Sequence, residues 1–280
     1  MQNDFMIKCG DGKLIAATHY GDEGLPMVIV SSALGTSRRF YDAFAKFLLQ
    51  KGFQVLTFDY RGVGDSKSRK DDPDVKVSKW GSEDLTAVIN WVKTYEPDQW
   101  IALVGHSIAG QIFPLAKNKK EVQAAYFVAS QTASAYYWDS AHRWKVEVFW
   151  NLLFPATTNL TGKLPSWAYG GKYDIPKFAA MEWAEWGKHV NGVLQNSENR
   201  IRAFRDTQIP LRFISMDDDK ILAPKRAVER LMEQYGGSRK EHHHWYASDF
   251  NKRKIGHFGF FQKENFEMWD DVHLWLKRYV

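Results

Sequence analysis

The sequence predicts an α/β fold: a mostly parallel sheet with helices on both faces and an inserted helical lid. Three observations predict it. Apolar runs of strand length alternate with segments of helical period, the alternation stops at about Gln131 and resumes after Asp206, and 280 residues that are 44% hydrophobic and 25% charged suffice for a full globular core. One domain with an insertion follows, with a core of residues 1–130 and 207–280 and a lid of residues 131–206.

The elements follow in order. Residues 5–9 and 14–18 flank Gly10-Asp11-Gly12 and read as an antiparallel hairpin. Met27-Val28-Ile29-Val30 is a strand, and Phe40, Phe44, Phe47 and Leu48 after it stand at helical spacing. Gln54-Val55-Leu56-Thr57-Phe58 repeats the strand, and Leu85, Val88, Ile89 and Val92 mark the next helix. Strands then come at 101–104, 122–128 and 211–215, the last two separated by a block rich in Trp, Tyr and Pro that holds helical fragments such as Met181-Glu182-Trp183-Ala184-Glu185-Trp186. A helix over 224–235, a short strand near 241–246 and a final helix carrying Phe266, Trp269, Val272 and Leu276 close the pattern. Repeated βα units argue for a parallel sheet.

Composition excludes several classes. No apolar run approaches the ~18 residues that span a bilayer, and Met1-Gln2-Asn3-Asp4-Phe5 is no signal peptide, so the expectation is a soluble, cytoplasmic protein with no membrane span. The single Cys9 leaves no internal disulfide and no Cys-based metal site. Net charge is +5, but basic groups such as Lys67-Ser68-Arg69-Lys70 run straight into Asp71 and Asp72, so no phosphate-binding stripe forms and no nucleic-acid partner is expected. In His242-His243-His244, strand alternation leaves only His242 and His244 on one side, so no metal site is expected; no cofactor is expected either.

Gly105-His106-Ser107-Ile108-Ala109-Gly110 joins a strand to an apolar helical segment, the setting of a nucleophile elbow. So tight a turn needs small residues two before and two after the nucleophile, and Gly105 and Ala109 satisfy that; the plainer reading is a serine N-cap. A serine hydroxyl needs a base, and the base an acid to fix its tautomer. Met216-Asp217-Asp218-Asp219 offers acids at the end of a strand, with Asp219 the choice and Asp218 the alternative. Gly256-His257-Phe258 offers the base, His257, just before the final helix. His106 reads as packing, and Arg61 and Asp65 as residues that shape their loop.

In the order Ser107, Asp219, His257 the chain resembles the α/β-hydrolases over nearly its whole length. Asp59-Tyr60-Arg61-Gly62-Val63-Gly64-Asp65-Ser66 is similar to that superfamily's D-x-R-G-x-G-x-S segment. The chain most resembles a branch of predicted bacterial hydrolases with L-T-F-D-Y-R-G, an acid pair before A-P, and G-H-F-G-F-F, matched at 56–62, 218–224 and 256–261. The stretch from acid to proline is one residue longer here, which leaves Asp218 and Asp219 both open. The resemblance implies an oxyanion hole made by the Ile108 amide and, from Ser31-Ser32-Ala33-Leu34-Gly35, the Leu34 amide. It implies a serine hydrolase of the esterase or thioesterase kind, acting on a small-molecule acyl substrate. A binding protein with an idle triad, or a small-peptide amidase or acyltransferase, is the alternative. Tyr137, Trp138, Trp144 and Trp150 are the lid residues expected at the substrate cavity. Oligomeric state is not legible.

Overall fold

The structure is a computed structural model that describes residues 2–68, 72–169, 171, 173–237 and 239–280, so Arg69 and Lys70 of the basic group, and Asp71 after it, lie outside the described residues. In chain order the strands are β1 (Gln2–Lys8), β2 (Leu14–Tyr20), β3 (Met27–Ser31), β4 (Gln54–Phe58), β5 (Ile101–His106), β6 (Ala124–Val128), β7 (Lys163–Leu164), β8 (Ile175–Pro176), β9 (Leu211–Met216) and β10 (Lys240–Trp245). Eight of these make one sheet in the order β1-β2-β4-β3-β5-β6-β9-β10, and β7 pairs with β8 alone. The hairpin β1-β2 is antiparallel and joins β4 antiparallel; from β4 across to β10 every pairing is parallel.

Every residue of β3, β4, β5, β6 and β9 is buried, which requires cover on both faces of the sheet. Helices Asp42–Gln50 and Trp269–Leu276 meet through Phe44 and Trp269, with ring centroids 5.5 Å apart. Helices Thr86–Tyr95 and Lys225–Gln234 bury Val88, Ile89 and Val92, and Val228 and Leu231. Local chemistry moves some expected boundaries. β6 starts at Ala124, because the Val122 amide closes a turn onto the Lys119 carbonyl (3.1 Å). The helix after Ser107 runs only from Ala109 to Ile112 and tightens into a 3₁₀ turn, Phe113–Leu115, where Pro114 supplies no amide. Phe266 falls in a 3₁₀ turn ahead of the final helix and is 58% exposed.

Between β6 and β9 the inserted segment is largely helical: Ser140–Val148, a π-helical turn Phe149–Leu153, Phe154–Thr161, Lys177–Lys188 and Glu198–Arg205. Asp139 caps the first by accepting the His142 amide (2.9 Å). Trp150 stands edge-on to Trp183 (centroids 4.6 Å, 82°) and to Phe154 (5.0 Å), which gives the segment its own apolar centre. Among the described residues no helix is long and apolar enough to cross a membrane.

Candidate active site

Parallel pairing brings the strand ends to one edge: Ser31 of β3 stands beside Gly105 of β5, His106 beside Val128 of β6, and Val128 beside Ile214 of β9. Ser107 follows β5 with φ +55°, a left-handed conformation that costs a side-chain-bearing residue roughly 1–2 kcal/mol. Its amide bonds the Val128 carbonyl (2.9 Å), which holds the turn. The demand for small neighbours is physical. A Cβ at Gly105 would stand 2.8 Å from the Ala109 Cβ and 2.7 Å from Phe127, so the residues flanking the turn touch each other.

His257 lies in a short helix, Gly256–Gly259, and its Nδ1 is 2.6 Å from Asp219 Oδ2, both side chains buried. A carboxylate only accepts, so Nδ1 carries a proton, and the neutral ring held in this tautomer has its lone pair on Nε2. The second Asp219 oxygen accepts the Leu222 amide (3.2 Å). Asp218 faces elsewhere: its carboxylate takes the amides of Ile255 (2.8 Å) and Gly256 (2.9 and 3.0 Å), the residues that lead into His257. The extra residue thus has its own place, with one acid on the imidazole and the other on the backbone that carries it.

Ile108 is the N-cap of Ala109–Ile112, where helix geometry offers an amide no intrahelical acceptor. Leu34 is buried in the loop after β3, and Gly35 beside it has φ +58°. That loop is pinned from three sides. Tyr60 exchanges hydrogen bonds with Ser31 Oγ (2.6 Å) and the Ser32 carbonyl (3.1 Å), the Ala33 amide donates to Tyr41 Oη (2.8 Å), and the Tyr173 amide donates to the Gly35 carbonyl (3.2 Å). A Cβ at Gly35 would lie 1.9 Å from the Tyr169 hydroxyl, so the inserted segment packs here against bare backbone. Sequence reasoning missed Tyr41, Tyr60 and Tyr169; only the position of Tyr60 inside D-Y-R-G was a signal.

His257 and Asp219 open onto a cavity of about 530 Å³ whose other walls come mostly from the inserted segment. Trp138 and Trp150 line it, each with its indole N–H tied to backbone, to the Ile221 carbonyl (2.9 Å) and the Ala133 carbonyl (3.1 Å). Phe149, Phe154, Trp167, Tyr169 and Trp183, with Phe258 beside His257, continue the aromatic surface. The other two lid candidates are not among the residues that line it. Trp144 is 59% exposed on the opposite side of its helix, and Tyr137 lies under the guanidinium groups of Arg226 and Arg230 (5.9 and 5.6 Å).

A family model described as serine aminopeptidase, S33 (Hydrolase_4), matches residues 25–248. The chain belongs to this family of α/β-hydrolases. Among solved structures it is similar to DcsB in complex with its substrate analogue, over 100% of this chain and 99% of that one, with TM-score 0.69 and 17% identity. It is also similar to esterase Pf2001 of Pyrococcus furiosus (100% and 93%, TM-score 0.63, 18% identity) and to the esterase EaEST of Exiguobacterium antarcticum (98% and 100%, TM-score 0.67, 15% identity). At such identities these share the fold. An uncharacterized 31.7 kDa protein of the traX-finO intergenic region of Escherichia coli is 32% identical over 139 residues, 46% of each chain, so the match spans about half the length of that relative.

Other singled-out residues of this α/β-hydrolase have structural partners. Arg61 pairs with Asp84 (2.7 Å) and Asp11 (2.6 Å), and Asp65 pairs with Arg38 (2.8 Å). Burial, then the charge of Asp84, pushes the Cys9 thiol up to about 12. His242 and His244 both reach Ser215 Oγ (2.9 and 2.8 Å), and among the described residues no group of three His, Cys, Asp or Glu is placed to hold a metal ion.

Proposed function

We propose that the protein is a cofactor-free serine hydrolase that cleaves a carboxylic ester, thioester or related acyl compound through an acyl-enzyme. The observation that carries this reading is the 2.6 Å bond from His257 to Asp219 at the sheet edge where Ser107 stands in its left-handed turn. Ser107 Oγ attacks the acyl carbon while His257 Nε2 takes its proton, and Asp219 stabilises the imidazolium. The Ile108 and Leu34 amides receive the oxyanion. Collapse returns the proton to the leaving group, and water then repeats the sequence to free the acid. Residues 131–206 act as a lid over a core of 1–130 and 207–280, with Trp138 and Trp150 in the acyl site.

The family description favours one second reading, hydrolysis of small peptides from the amino end. Against it, the two acids at the cavity, Asp218 and Asp219, are both committed, to backbone amides and to His257, and the remaining walls are mainly aromatic. An α-ammonium group finds less there than a neutral acyl group.

Intact mass after exposure to a fluorophosphonate tests the reading without knowledge of the substrate. One stoichiometric adduct is expected on wild type, mapped to Ser107, absent in Ser107→Ala and much slower in His257→Ala. No adduct on folded wild type with large or small phosphonates would overturn it. Turnover of p-nitrophenyl esters against aminoacyl p-nitroanilides then separates the two readings.

A further inference from the structure

The imidazole of His106, the residue before the elbow serine, is fully buried and bonded at both nitrogens. Nδ1 is 2.8 Å from Tyr41 Oη, and Nε2 is 2.9 Å from the backbone carbonyl of His257. The direction of each bond is fixed by its ends. A carbonyl only accepts, so His106 Nε2 carries the proton, and a neutral Nδ1 must then accept from the Tyr41 hydroxyl. Tyr41 Oη in turn accepts from the Ala33 amide at 2.8 Å. One continuous chain therefore runs from the loop of Leu34, through the strand end of Ser107, to the backbone of His257. Only one neutral tautomer of His106 satisfies it. Burial first, and then the nearby His257, holds the His106 pKa well below its ordinary value, in keeping with a neutral ring.

The packing around the chain is equally fixed. Phe261 stands 4.9 Å from both the Tyr41 and His106 rings, and Phe258 stands edge-on to His106 at 5.4 Å, so the aromatics of G-H-F-G-F-F clamp the same two side chains. Among the described residues, the side-chain and backbone groups that hydrogen-bond the His106 ring belong to Tyr41 and His257.

We infer that Tyr41 and His106 are positioning residues that hold the oxyanion loop and the base loop in register with the nucleophile elbow. This rests on the serine-hydrolase reading above. The three groups must meet one acyl carbon, and a displacement near 1 Å costs about 100-fold in rate. The chain gives each loop one fixed bond to the same imidazole or to its tyrosine partner. With both nitrogens engaged, His106 is not a second base.

The test uses Tyr41→Phe, His106→Gln and His106→Leu in the full chain, each compared at equal folded fraction by circular dichroism. Tyr41→Phe removes one oxygen and keeps the ring. Its kcat is expected to fall about 10- to 100-fold with KM within about twofold, and its affinity for a boronic acid that mimics the tetrahedral intermediate should fall by the same factor as kcat. His106→Gln retains an N–H for the His257 carbonyl and should recover most of the activity that His106→Leu loses. Folded Tyr41→Phe and His106→Leu with wild-type kcat and boronate affinity would overturn the proposal and leave the chain a packing feature. Nitrogen NMR of the wild type, assigned by its loss in His106→Gln, should show a protected His106 Nε2–H across neutral pH; an Nδ1–H tautomer overturns the tie whatever the activity. A wild type that forms no fluorophosphonate adduct brings down the hydrolase reading, and the positioning role with it, while the imidazole signal still decides whether the tie exists.

Discussion

Two adjacent carboxylates with different partners, Asp218 and Asp219, should fail in different ways. Asp219→Asn preserves size and an oxygen for the Leu222 amide, now at 3.2 Å, but it replaces the acceptor opposite His257 Nδ1 with a group that can donate. The imidazole then settles with its proton on Nε2, the tautomer that cannot accept from Ser107. The same exchange in a serine-protease triad lowers kcat by about 10⁴, which is roughly 5.5 kcal/mol of barrier. Asp218→Asn acts on the backbone instead. The carboxylate accepts the Ile255 amide at 2.8 Å and the Gly256 amide at 2.9 and 3.0 Å. An asparagine keeps one of those acceptors, loses the charge and sets an NH₂ against an N–H. Hydrogen bonds to a charged group contribute about 1.5–3 kcal/mol, so a stability loss of about 2–3 kcal/mol is expected. Over a chain of this size that corresponds to a fall in Tm of roughly 3–5 °C. The assay is urea denaturation of both variants, with kcat and the rate of fluorophosphonate adduct formation measured well below the melting range. Asp219→Asn should lose at least about 10³ in both rates with little change in midpoint, and Asp218→Asn less than about tenfold with a clear change. The opposite pattern, with Asp218→Asn inert and Asp219→Asn nearly normal, would refute the assignment.

Three further predictions follow from other parts of the structure. Ser107→Gly should be more stable than Ser107→Ala by about 1 kcal/mol in urea, because only glycine is at ease at φ +55°; equal midpoints would mean that the turn carries no strain. Trp183→Ala removes the ring edge-on to Trp150 at 4.6 Å, so it should cost about 3–5 kcal/mol and move the optimum of a graded p-nitrophenyl ester series toward longer or bulkier acyl groups; an unchanged profile would place the acyl group elsewhere. His242 is lowered from 6.5 to about 4, by burial first and then by His244, Lys225 and His243. As pH falls the unfolded chain takes up this proton before the folded one, so the site's loss of stability accumulates between about 6.5 and 4 and stops below. Urea midpoints across that window should fall less steeply in His242→Gln than in wild type, and parallel slopes would contradict the depressed pKa.

What could be read in the sequence was set by short-range geometry. The elbow is legible because a left-handed residue between a strand and a helix forces small neighbours, and Gly105 and Ala109 sit in contact as that constraint demands. The alternation of strands and helices is legible because a strand buried on both faces must be mainly apolar, as β3 to β6 are, with Ser31, Gln54, Thr57 and His106 as their buried polar positions. The sequence favoured Asp219 over Asp218 by its place at the end of a strand, but what separates the two, namely which carboxylate faces an imidazole 38 residues away, is a long-range contact that the sequence does not carry. The His106 tie was equally hidden, because it joins Ala33, Tyr41 and His257 across separations of up to 151 residues.

The inserted helices show a subtler reason for failure. Val146, Trp150 and Phe154 recur every four residues and face inward; Trp144, Val148 and Leu152 recur with the same spacing, offset by two, and are 59%, 46% and 64% exposed. At 3.6 residues per turn, an offset of two places the second row roughly opposite the first. A helix apolar on both sides has no sequence signal that says which row meets the core. The contacts of neighbouring segments decide: the ring of Trp183 and the bare backbone of Gly187, where a Cβ would stand 2.3 Å from the Trp150 indole, accept only the inner row. Trp144 was therefore as good a cavity candidate as Trp150 until helix Lys177–Lys188 was in place, and the packing of that second helix against the first sets which aromatic row lines the cavity.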